Sequence, residues 1–160
     1  MSREHLATYL NDHLSGSVTA LEILDHLREE ATDIHPFLIQ LEKDIKADRQ
    51  QLVDLMARLD IQQSRIRKAG GWLAERFVEA KLEVDDQSGG RLRRLERLEA
   101  LALGIDGKLG LWKSLEAASS VDDRLQGPDY GLLAQRAREQ RASIEDLRIE
   151  AARSALRVAA

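Results

Sequence analysis

The chain has 160 residues, of which 43% are hydrophobic and 32% charged, with a formal net charge of −4. It is long enough for one domain with a real core, too apolar for disorder and too charged for a membrane protein. The absence of cysteine excludes disulfides, thiolate nucleophiles, iron–sulfur clusters and cysteine-based zinc sites together.

Leu and Ala dominate the apolar set, aromatics make up only 4%, and proline occurs twice. Strong helix formers with few breakers predict an all-α protein. The first segment runs from Ser2 to Glu30, with Leu6, Leu10, Leu14, Leu21, Leu24 and Leu27 on one face. The second runs from Pro36 to Leu59, where Leu38, Ile45, Leu52 and Leu59 recur every seven residues and Leu41 and Leu55 supply the other seam position. A seven-residue repeat on both seam positions predicts antiparallel side-by-side packing. The third segment, Ser64 to Val84, is shorter and contains Gly70-Gly71. After the loop Asp85 to Gly90, a fourth segment spans Arg91 to Ala118, with Leu95, Leu98, Ala102, Ile105, Leu109 and Trp112 as its stripe. Gly104, Gly107 and Gly110 punctuate that segment without breaking its register, which predicts close helix–helix approach there. The fifth runs from Asp129, a capping residue, to Arg157, with Tyr130, Leu133, Ala137, Ile144, Leu147 and Ala151 facing the core.

Four of these segments are about 23 to 30 residues long, or roughly 35–45 Å of helix. Short connections join the first to the second and the fourth to the fifth, so two antiparallel hairpins are expected. The long link between them, carrying the shorter helix, predicts a ferritin-like four-helix bundle with that helix as crossover. The rival arrangement is a five-helix up-down array.

A ferritin-like bundle invites a search for a di-iron site, which takes Glu-x-x-His from two helices and a Glu from each of the others. The histidines are His5, His13, His26 and His35; none has Glu three residues before it, and none follows residue 35. The standard site is therefore absent from the sequence. His26 with Glu22 and Glu29 falls opposite the leucine stripe and reads as a solvated face. The anomalies lie elsewhere. His13 shares a heptad position with Leu6, Ala20 and Leu27; Asp48 interrupts the seam of Leu41 and Leu55; Gln140 interrupts that of Leu133 and Leu147. Glu99 and Asp106 flank the apolar face of the fourth segment. These five are the candidate buried polar cluster, either fixing helix register or lining a polar pocket. Counting from the turn, His13 and Asp48 differ by roughly 9 Å in axial height, so they meet directly only with a shift of register.

No phosphate-binding loop or nucleophile motif is present, so no catalytic residue, cofactor or metal ligand is assigned. The basic clusters Arg65, Arg67, Lys68 and Arg91, Arg93, Arg94, Arg97 sit among many acids, which reads as a salt-bridged face and not as a nucleic-acid or membrane surface. Val18, Leu82, Leu92 and Leu111 lie off the main stripes and would permit a homodimer face. The polar start, Met1-Ser2-Arg3-Glu4-His5, shows no signal peptide, and a cytoplasmic location is the expectation.

Three stretches carry a family resemblance: Tyr9-Leu10-Asn11-Asp12-His13-Leu14-Ser15-Gly16-Ser17, Ala69-Gly70-Gly71-Trp72-Leu73-Ala74-Glu75, and Leu101 to Trp112 through its three glycines. They resemble a group of uncharacterised bacterial helical proteins classed as ferritin-like. The resemblance implies a ferritin-like bundle with a continuous helix through the glycines, and it brings no activity. The expected function is a non-enzymatic interaction or structural role. The alternatives are a divergent, carboxylate-based metal or redox protein and a bundle that holds an apolar ligand between its helices.

Overall fold

The computed structural model describes residues 3–64 and 90–157. Within them lie four long helices: α1 (Arg3–Glu30), α2 (His35–Arg58), α3 (Arg91–Ser119) and α4 (Tyr130–Ala155). The short third segment expected over residues 64–84 falls, apart from Ser64, outside the described residues. No strand occurs among the described residues.

Local chemistry sets the helix ends. A single 3₁₀ turn at Thr32–Ile34 follows α1, and α2 begins at His35 with Pro36 in its first turn, where a missing N–H costs nothing. At the start of α4 the Asp129 carboxylate accepts a hydrogen bond from the Leu132 N–H at 2.9 Å. The turn before it contains Gly127 at φ +125°, packed against the Arg58 guanidinium, a conformation open to glycine and closed to larger residues.

The two hairpins, α1–α2 and α3–α4, are joined by contacts of α1 with α3, and by an ion pair from α4 to α2. Long-range contacts fix the directions. Glu30 at the end of α1 meets Arg93 and Arg97 at the start of α3, and Arg94 forks onto Asp33 at 2.9 and 2.8 Å. At the opposite end, Arg58 donates to the Gln126 carbonyl at 2.9 Å. Asn11 ties down the chain as it leaves α2, donating to the Gln62 carbonyl at 3.2 Å and accepting from the Ser64 N–H at 2.7 Å. So α1 and α3 run antiparallel, and the chain leaves α2 at one end of the bundle and enters α3 at the other. The basic residues at the start of α3 thus clip the hairpins together.

The apolar core is in two pieces. One cluster gathers Leu24, Leu27, Leu38, Leu41, Leu98 and Ile144 near the α1–α2 turn. The other gathers Leu10, Leu14, Leu55, Met56, Trp112 and Leu133 near the α3–α4 turn. Two sequence expectations change here. Leu111, read as off the stripe, is buried, and Leu92 packs on the core, so neither contributes to an exposed dimer face; Val18 is exposed and Leu82 lies outside the described residues. Two of the three glycines of α3, Gly107 and Gly110, do not mediate close approach. A methyl group built on Gly107 or Gly110 meets no described atom within 4 Å. The closest packing, between α3 and α4, rests instead on buried alanines such as Ala102, Ala134 and Ala137.

Surface ion pairs give the fold a defined acid response. Hydrogen bonds from Arg148 and then Arg141 hold the Glu145 carboxyl down at about 2. Asp33 is likewise lowered by its bond to Arg94, and Glu42 by its bond to Lys46. Depressed carboxylate values mean stability that is present above the unfolded-chain value and lost as pH falls through the folded one. Urea midpoints should therefore decline between pH 4.5 and about 2, and Glu145→Gln should flatten that decline.

A charged layer and a cavity at the bundle centre

Between the two apolar clusters lies a layer of buried polar groups. Asp48 on α2 is only 2% exposed, and both of its carboxylate oxygens are engaged. Lys108 Nζ donates to Oδ2 at 2.6 Å, and Arg136 Nη1 donates to Oδ1 at 2.8 Å. The Lys108 ammonium also donates to Gln140 Oε1 at 2.5 Å. Three helices thus meet through one carboxylate, one ammonium, one guanidinium and one amide. A lone buried carboxylate would be prohibitive, and two cations at hydrogen-bonding distance remove that cost. Burial holds the Lys108 amine below its ordinary value of 10.5, with the Asp48 charge and hydrogen bond pulling the other way. The Gln140 Nε2 group is buried with no partner among the described residues, so the layer has more donors than acceptors.

Beside this layer is a cavity of about 280 Å³ between α1, α2 and α3. Its walls are mostly apolar, from Ala20, Ile45, Leu52, Leu101, Ile105, Leu111 and Trp112. Gly16, Gly104 and Gly107 also line it, and a methyl group on Gly16 or Gly107 would project into open space. The glycines are thus part of the reason the space exists. The polar lining comprises Tyr9, Asp12, His13, Ser17, Asp48, Arg49 and Lys108. His13 stacks edge-on with Tyr9, ring centroids 4.7 Å apart, and burial lowers its imidazole below 6.5 against the opposing charge of Asp12.

Of the five residues singled out from sequence, Asp48 and Gln140 come together, both bound to Lys108. His13 shares the cavity with Asp48, but forms no hydrogen bond to it. Glu99 and Asp106 stand apart from this layer. Asp106 is exposed and pairs with Arg141 at 3.0 Å, while half-buried Glu99 faces Arg148 at 3.5 Å. The buried cluster expected from five residues is therefore Asp48 and Gln140 with two cations that the sequence reading did not single out, Lys108 and Arg136.

The described residues do not suit a metal centre. Among the described residues no three His, Asp or Glu side chains converge, and the one buried carboxylate has each oxygen on a cation. Glu22, His26 and Glu29 are exposed on α1, as is His5. No described helix is long and apolar enough to cross a membrane. Comparison with protein-family models, with curated proteins and with solved structures finds no match to this chain.

Proposed function

We propose that this chain is a non-enzymatic bundle of ferritin-like plan that holds a small, largely apolar molecule between α1, α2 and α3. The plan is supported by the helix directions: two antiparallel hairpins, with α2 and α3 needing a connection along the full length of the bundle, for which residues 65–89 supply the chain. Those residues would be the crossover, and the resemblance to bacterial ferritin-like proteins has the same implication.

The observation that carries the ligand reading is the glycine-lined cavity. Glycine inside a helix is about 1 kcal/mol less favourable than alanine, and α1 and α3 accept that at Gly16 and Gly107, where alanine would fit. Well-packed cores do not leave such space, and pockets of several hundred Å³ at helix junctions are where bundles take small molecules. A cavity of about 280 Å³ has room for roughly ten to fifteen non-hydrogen atoms at protein packing density. A carboxylate-based metal site has less support, since two cations already neutralise Asp48. Stoichiometric iron or manganese in the purified protein would overturn that ranking.

Octan-1-ol is a suitable probe. Calorimetry should give one molecule per chain, with methyl chemical shifts moving at Ile45, Leu52, Leu101, Ile105 and Leu111. Gly16→Ala and Gly107→Ala should each stabilise the protein by about 1 kcal/mol, raising Tm by about 2–4 °C, and both should weaken octan-1-ol binding. Gly110→Ala, outside the cavity, should stabilise equally and leave binding unchanged. Shifts scattered over the surface, or equal binding by all three variants, would overturn the reading.

A further inference from the structure

The charges around the cavity narrow the chemistry of what it takes; this step rests on the cavity being a ligand site. Three cations belong to the cavity wall and the layer behind it: Arg49, Lys108 and Arg136. Against them stand three carboxylates: Asp48 and Asp12 on the cavity wall, and Asp44, whose charge acts on Lys108 from α2. Asp48 has both oxygens committed, and Asp12 is engaged in an interaction of its own. Lys108 lines the cavity with two of its three N–H groups placed, on Asp48 and Gln140, and the third has no acceptor among the described residues. Arg49, on the turn of α2 next to Asp48, lines the same cavity and forms no ion pair with a described residue. The site therefore combines an apolar interior with two cationic side chains, Arg49 and Lys108, whose N–H donors are not all answered by described residues.

We propose that the cavity selects a small monocarboxylic acid with an apolar body, its carboxylate received by Arg49 and the free N–H of Lys108. An alcohol of the same length would fill the apolar space and leave the cations unanswered. An amine would bring only further N–H donors and a like charge to Arg49 and Lys108. Charge-assisted hydrogen bonds in a half-enclosed site are stronger than neutral ones, so the preference is expected to be large. The apolar tail would lie against Leu52, Leu101, Ile105 and Leu111.

Octanoate, octan-1-ol and octylamine, titrated calorimetrically into the full chain at neutral pH, separate the readings. Octanoate should bind at least about tenfold tighter than either of the others, and the advantage should shrink as salt rises. Arg49→Gln, at a partly exposed position, should cost octanoate about tenfold and leave octan-1-ol unaffected. Equal or tighter binding of octan-1-ol, tightest binding of octylamine, or an Arg49→Gln variant with undiminished octanoate affinity would each overturn the acid preference while leaving the cavity as a ligand site. Failure of all three probes to bind would overturn the ligand reading and the acid preference together.

Discussion

Replacing Asp48 with alanine is expected to destabilise the protein by about 3–5 kcal/mol, read as a lowered urea midpoint at neutral pH. The loss would come less from the bonds removed than from what remains. Lys108, its side chain 13% exposed, would keep its charge with only an amide oxygen for company. Arg136 is more exposed and can turn outward, so most of the penalty falls on the lysine. Asp48→Leu combined with Lys108→Met tests this directly. The pair of apolar residues should recover most of the loss, because replacing both members of a buried ion pair is often neutral or stabilising. If the double variant is as unstable as Asp48→Ala, the layer contributes through packing and not through charge compensation.

The second large effect is at Trp112. Its indole is 1% exposed, forms part of the core cluster near the α3–α4 turn, and stands 6.3 Å from the Tyr130 ring between centroids. Trp112→Ala should cost about 3–5 kcal/mol by urea unfolding. Trp112 also walls the cavity, so the same change should enlarge the site and shift its preference from octan-1-ol towards dodecan-1-ol. A loss of stability with no change in chain-length preference would place the indole in the core alone.

Much of the bundle was legible in residue spacing, for reasons that particular residues make clear. The seven-residue repeat of Leu38, Ile45 and Leu52 set the face of α2, and all three are buried. Asp48 and Gln140 stood out because each breaks such a repeat, and both are buried in the central layer. Lys108 gives the same signal. It falls seven residues after Leu101 and seven before Leu115, both buried, in a row beside the stripe of Leu98, Ile105 and Trp112. An apolar face wider than one seam, as Leu101, Leu111 and Leu115 show α3 to have, hides such an interruption. Glu99 and Asp106 were misplaced for the opposite reason. A carboxylate at the edge of an apolar face can reach outward, and arginines on α4 meet both. Gly107 and Gly110 border open space where their spacing suggests contact, because small residues permit close approach and spacing alone does not distinguish a contact from a void. Arg136 gave no signal of its own, since an arginine one turn before Gln140 is ordinary on a helix surface.

The division of the core by a charged layer bears on how the molecule opens. The two apolar clusters on either side of the charged layer are coupled by the partly buried Leu109, which packs on both, and by the continuous helices that run through each. Each half can still loosen as a unit of its own, with amides near Leu24 and Leu98 exchanging on a different schedule from those near Leu14 and Leu115. A molecule seated in the cavity touches Ala20 of one half and Trp112 of the other. It would therefore act as a mortar joint, bringing the two exchange rates together and making a two-step opening a single one.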